Sequence, residues 1–329
     1  MSPVIDVHTH MLDRRWLRLL ERYGRPRYTL KKVPGGLRAI HLEGAPFMTP
    51  VPEMFDWELR IRNMDRAGID VAVVSLTCPN VYWGGEKVSV QAAQVMNDAM
   101  AEAQRAFPDR IRWLCSLPWQ YPRAALAELG RARAAGACGV MVLANVDGRP
   151  LTDPAFEPVW RAIDAAKLPV LVHPTAPPGV GAMRMDEFQL TASVGFTTDT
   201  TLAIARMIYD GFFDRYAGLK IIAAHGGGAL PFLVGRLDQC WEHIPACRVK
   251  TREKPSLQVR RIYADAVVFS EDALAMTLRV FGSENVLYGS DYPHSIGDPV
   301  GCLARVDRLP EGVRARVRGA NAGRIFGLA

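Results

Sequence analysis

Short runs of aliphatic and β-branched residues recur along the chain, alternating with longer segments whose apolar positions repeat at helical spacing. The runs Val4–His8, Val71–Thr77, Ile111–Leu117, Gly139–Leu143, Pro169–His173, Lys220–His225, Ile262–Ala266 and Val286–Gly289 read as strands buried on both faces. Between them, Asp56–Ala67, Val88–Phe107, Pro122–Ala135, Ala155–Ala166, Thr200–Phe213, Pro231–Glu242 and Glu271–Phe281 carry an apolar stripe on one face, and Glu311–Phe326 reads as a closing helix. Eight strands alternating with helices predict an α/β fold, a (β/α)8 TIM barrel, with residues 1–329 forming a single domain. Gly68, Gly136 and Gly218 stand where helices should end before a strand. One connection breaks the rhythm. Residues 22–54 are rich in Pro, Gly and Arg without a strong period, which predicts a long insertion after the first strand, passing over the barrel mouth. A second irregular piece, 175–185, follows the fifth strand.

Composition narrows the class. With 49% hydrophobic and 22% charged residues, the chain reads as a soluble globular protein with a sizeable core. The net charge of +6 is scattered: Arg131/Arg133, Arg260/Arg261 and Arg314/Arg316/Arg318 lack the interleaved aromatics of a nucleic-acid surface. They read as solvated faces that weakly favour anionic substrates, and no nucleic-acid partner is expected. The six cysteines form no C-x-x-C pair. With no basic-plus-apolar leader and no apolar stretch approaching membrane length, the expectation is a cytoplasmic protein with no membrane partner.

The candidate chemistry lies at the strand ends, where barrels of this kind build their active sites. Residues two apart on a strand share a face, so His8 and His10 present two imidazoles together. The fifth run ends at His173, the sixth at His225, and the eighth leads into Asp291. Imidazole nitrogens with a carboxylate oxygen suit a divalent ion, most often Zn²⁺, with Mn²⁺, Co²⁺ or Fe²⁺ also compatible. Such an ion, with one open position, lowers the pKa of a bound water to about 7.

These residues, with Leu171-Val172-His173-Pro174, the His225-Gly226-Gly227-Gly228 run followed by Gly235-Arg236-x-Asp238, and Gly289-Ser290-Asp291-Tyr292-Pro293, resemble the amidohydrolase superfamily. The likeness spans nearly the whole chain, which more narrowly resembles the branch typified by 2-amino-3-carboxymuconate-6-semialdehyde decarboxylase. The resemblance implies that His8, His10, His173 and Asp291 hold the metal. It further implies that His225 activates a water, with Asp291 as proton shuttle. Arg236 would reach the neighbouring active site of a homodimer and bind the carboxylate of a small-molecule substrate. The fourth strand holds no lysine to bridge a second ion, which predicts one metal ion and no organic cofactor.

Where that branch carries a second substrate-binding arginine, this chain has about Met48, and neither Arg38 nor Arg60 matches the position. A monocarboxylate is therefore expected, in an apolar pocket lined by Phe47, Met48, Trp83 and Phe188. The leading expectation is a metal-dependent, non-oxidative decarboxylase of an unsaturated or aromatic acid. The alternative is a hydrolase of an amide, lactone or ester. No G-x-S-x-G elbow supports a serine hydrolase. The triglycine is expected to let backbone approach the metal site, and His41 and His243 are expected at the surface. His294 is expected either in the pocket or in a solvated loop, and Asn321 as a cap of the last helix.

Overall fold

The computed structural model describes residues 3–34 and 36–328. Eight parallel strands form the barrel wall. The first is β1 (Ile5–His10), and three strands of a separate sheet come before the next: β2 (Tyr28–Lys32), β3 (Arg38–Leu42) and β4 (Ala45–Met48). The wall resumes with β5 (Val71–Ser75), β6 (Ile111–Ser116) and β7 (Gly139–Leu143). After a two-stranded ribbon, β8 (Asn145–Val146) and β9 (Arg149–Pro150), it continues through β10 (Pro169–His173), β11 (Lys220–Ala223), β12 (Tyr263–Asp265) and β13 (Val286–Leu287). Neighbours run in the order β1-β5-β6-β7-β10-β11-β12-β13. Backbone bonds close the seam between the last strand and the first: Val7 N–H donates to Tyr288 O at 3.0 Å and His10 N–H to Tyr292 O at 2.7 Å. The strands are almost wholly buried, as their unbroken apolar runs require.

Helices cover the outside, and most follow the expected apolar stripes. Two of the longer ones arise where no element was expected. Arg14–Tyr23 carries four arginines and buries only Trp16 and Leu20, a stripe too narrow to stand out among charges. Pro299–Asp307 is short and holds Gly301, but Asp298 caps its start by accepting from Gly301 N–H at 2.7 Å. The closing helix is interrupted by a π-turn at Arg316–Ala320. Asn321 does not act as an end cap: it is buried, and its amide donates to Ser283 O (2.9 Å) and Val286 O (2.8 Å), pinning β13.

The first βα connection is ordered where irregular chain was expected. Tyr28–Lys32 pairs antiparallel with Arg38–Leu42, which pairs with Ala45–Met48. Its Pro, Gly and Arg residues mask three strands of four or five residues each. His41 lies within this sheet, buried rather than at the surface, whereas His243 is exposed. Gly68 does end its helix in the left-handed conformation (φ 71°). Gly218 caps nothing: its N–H donates to Asp164 Oδ1 at 2.8 Å.

After β11 the backbone turns left-handed through His225 (φ 55°), Gly226, Gly227 and Gly228. A Cβ on these glycines would strike Val268 at 2.6 Å, Phe281 at 2.6 Å and the Thr197 carbonyl at 2.3 Å. The run therefore serves packing against the surrounding shell, not backbone approach to the strand-end histidines. The residue that approaches them is Gly289, whose Cβ would meet His8 Cβ at 2.9 Å. We expect Gly228→Ala to lose about 2 kcal/mol or more in urea unfolding, since strain and overpacking act together. Gly130→Ala, in an exposed helix position with nothing within 4 Å, should instead gain up to about 1 kcal/mol.

Candidate metal centre and active site

Barrel closure brings His8 and His10 of β1, His173 at the end of β10, and Asp291 after β13 to one point. Their candidate ligand atoms all lie within 4.8 Å of one another, and all four residues are buried. The geometry explains which nitrogen is free. His8 Nδ1 lies 2.6 Å from Asp265 Oδ2, His10 Nδ1 3.2 Å from Ser75 Oγ, and His173 Nδ1 2.8 Å from Pro174 O. With Nδ1 of His8 and His173 donating to these oxygens, and that of His10 paired with a hydroxyl, the rings turn Nε2 inward. There the Nε2 atoms of His8, His10 and His173, together with Asp291 Oδ1, are buried with no hydrogen-bond partner. Three imidazole lone pairs and one carboxylate oxygen left unpaired by protein in a buried cluster fit a bound cation.

Local electrostatics agree. Burial pushes His10 down to about 3, although Asp291 pulls the other way, and burial also holds His173 well below its ordinary value. Both rings are therefore neutral donors. Burial works to raise the Asp291 carboxyl, but the surrounding imidazoles, His294 foremost, outweigh it and hold the group ionised. His8 differs because Asp265 outweighs burial and raises it.

His225 stands beside the cluster rather than in it. The left-handed turn places its Nε2 3.6 Å from Asp291 Oδ2, while Asp291 Oδ1 faces His10 Nε2 at 3.2 Å and His8 Nε2 at 3.5 Å. Asp291 is itself left-handed (φ 58°), so one carboxylate turns an oxygen to each neighbour. This division suits proton exchange between Asp291 and His225, with the other oxygen left for the ion.

The cluster opens onto a cavity of about 510 Å³ whose wall is mostly apolar. Phe47 and Met48 line it, delivered by β4, together with Val51, Phe196 and Ile296. His294 lines it too and is not a solvated loop residue. Cys78 completes the wall as a neutral thiol, pushed up to about 12 by burial.

Two residues expected there are elsewhere. Trp83 is buried behind the wall, where its indole N–H donates to Asn80 O at 2.8 Å and its ring packs on Trp16. Phe188 is 89% exposed, and the neighbouring Gln189 lines the cavity instead. Arg236 is exposed on the helix Leu230–His243, outside the lining of its own chain's cavity. Arg38 pairs with Glu21 at the surface. Arg60 is buried behind β1, donating to His10 O at 2.6 Å and Thr9 Oγ1 at 2.9 Å with its guanidinium 4.8 Å from the Tyr292 ring centre. Among the described residues, the cavity lining holds no lysine or arginine.

Sequence reasoning missed Asp265. It orients His8 and also accepts from the His225 and Gly226 backbone N–H groups, both at 3.1 Å, so it ties ligand and proton carrier together. Its position near the end of the run Ile262–Ala266 is a usable signal, the same one that points to His8, His10, His173, His225 and Asp291.

Residues 5–328 match the family model described as Amidohydrolase. The chain is 31% identical to 2-amino-3-carboxymuconate-6-semialdehyde decarboxylase of Dictyostelium discoideum, covering 99% of this chain and 92% of that one. It is 28% identical to gamma-resorcylate decarboxylase of Rhodococcus jostii, over 82% of this chain and 87% of the relative. The crystal structure of 5-carboxyvanillate decarboxylase from Sphingomonas paucimobilis superposes with a TM-score of 0.87 at 27% identity, covering the whole of both chains.

His173→Ala should lose bound metal after dialysis, read by elemental analysis, with the fold retained by circular dichroism. Asp265→Asn should weaken metal binding about 10–100-fold, because it removes the acceptor that orients His8.

Proposed function

The chain belongs to the amidohydrolase family, and from that membership we propose a metal-dependent, non-oxidative decarboxylase acting on an aromatic or unsaturated monocarboxylic acid. One observation carries this reading. A cluster of three imidazoles and an ionised carboxylate, with their facing atoms unpaired, opens directly onto an apolar cavity whose lining, among the described residues, holds no lysine or arginine. The curated relatives named above, both decarboxylases, support the reaction class.

His8, His10, His173 and Asp291 would hold one divalent ion. When bound, it supplies Lewis-acid stabilisation of the substrate carboxylate and an adjacent oxygen. The remaining chemistry falls to the chain. Phe47, Met48, Val51 and Phe196 clasp the unsaturated body of the substrate and keep water from it. The Asp291–His225 pair delivers a proton to the carbon that bears the carboxylate. The carbon–carbon bond then breaks, its electron pair restores the π-system, and CO₂ leaves. The carboxylate is exchanged for a proton, so no oxidant is consumed.

We further propose Zn²⁺ as the resident ion, because three of the four donors are imidazole nitrogens. The functional unit is a homodimer in which Arg236 enters the neighbouring cavity. Its exposure and the lack of a cation in the lining favour that arrangement. Barrel and excursion act as one domain. The six free cysteines suit a reducing, cytoplasmic setting; among the described residues, no helix is long and apolar enough to cross a membrane.

The reaction is tested by incubating the metal-loaded protein with carboxyl-labelled aromatic and muconate-type acids and trapping labelled CO₂. Release is expected without added cofactor, and His225→Asn should lower kcat about 10²–10⁴-fold. Opening of an amide, ester or lactone without CO₂ would sink the decarboxylase reading in favour of hydrolysis.

A further inference from the structure

His294 has no part in holding the ion or moving the proton, yet it faces the same cavity. Its ring centre lies 5.1 Å from that of His10, which places it at the carboxylate end of any substrate bound by the cluster. The ring is held by Thr77, whose Oγ1 lies 3.0 Å from His294 Nε2. Thr77 is fully buried, so this contact occupies Nε2 with protein. Nδ1 is the ring nitrogen left for a ligand. Among the described residues, no protein group donates to it.

We propose that His294 is a specificity-determining residue: with its ring proton on Nε2, toward Thr77 Oγ1, its Nδ1 accepts a hydrogen bond from a hydroxyl or amino substituent at the carboxylate end of the substrate ring. The inference rests on the aromatic-acid reading of the cavity. Cys78 in the same wall is a weak partner, and Met48 and Phe196 are apolar; Thr49, Gln189 and Ser295 also line the cavity, so His294→Phe is the substitution that separates them from His294. A ligand that carries a donor at this position pairs the lone pair as it excludes water. A ligand with a methoxy group brings an acceptor against an acceptor and leaves both unpaired. Discrimination of about 10-fold or more follows, because the desolvated nitrogen is satisfied in one case only.

The test measures binding rather than turnover. Metal-loaded protein is titrated calorimetrically with hydroxybenzoate and the matching methoxybenzoate, substituted at position 2 or position 3. The hydroxy member should bind about 10-fold or more tightly at one of these positions. His294→Phe should abolish that preference while methoxybenzoate affinity stays within about 3-fold. His294→Gln, which keeps an acceptor, should retain part of it. Thr77→Val frees Nε2 and lets the ring change tautomer, so it should narrow the preference with little change in overall affinity. Equal binding of the pair by the unmodified protein, failure of every probe to bind, or a preference that survives His294→Phe would each overturn the inference. The two readings fail separately. Loss of the preference in His294→Phe upholds the role of His294 even if no acid releases CO₂. CO₂ release with no preference leaves the decarboxylase standing without it.

Discussion

Everything at the mouth of this barrel depends on committing the outward-facing nitrogens. Three imidazoles crowded around one carboxylate would ordinarily relax by turning toward water or toward one another. Here each Nδ1 is taken by a fixed oxygen: a carboxylate on β12, a hydroxyl on β5, and the carbonyl next to His173. The inward nitrogens have nowhere to turn. Burial then keeps two of the rings uncharged, and their lone pairs stay available. The barrel assembles the site because these anchors come from different strands, held in register by the sheet.

A second tier of polar groups supports the first. Behind β1, Asp6 accepts from Ser290 Oγ at 2.5 Å and from His8 N–H at 3.2 Å. Burial raises the Asp6 carboxyl to about 6, and Arg60 nearby is brought down to about 10 by the same cause. On the far side, Asp199 gathers the Asn145 amide and the Thr175 N–H, fixing the chain just past His173. None of these groups lines the cavity onto which the metal cluster opens. They hold the loops on which the ligands ride, and so convert a fold into a geometry.

Most of the barrel was legible because parallel strands buried on both faces leave continuous apolar runs. All eight wall strands fall within two residues of their runs, and Lys220–His225 and Val286–Gly289 stop short at Ala223 and Leu287. There the backbone leaves the sheet to place His225 and Asp291 at positive φ, an arrangement that apolar periodicity does not encode. The metal cluster was legible for the same reason, since strand ends converge. The cavity wall was only half legible. Phe47 and Met48 belong to it because β4 folds back over the mouth, but Trp83 and Phe188 were chosen on apolarity alone. Burial behind the wall and projection into solvent look identical in one dimension. Asp265 was overlooked because its contribution is made through His8.

The seam of the barrel has a consequence for how the protein is made. Thr9 donates to the Tyr292 carbonyl across a separation of 283 residues. β1 leaves the ribosome before the other wall strands, bearing two histidines and an edge that can pair on one side only until β13 has followed. β13, pinned by Asn321, is among the last elements to appear. The metal cluster therefore cannot mature alongside the growing chain: it is completed in one late event that also seals the sheet. Until then the exposed edge of β1 is open to pairing with other chains.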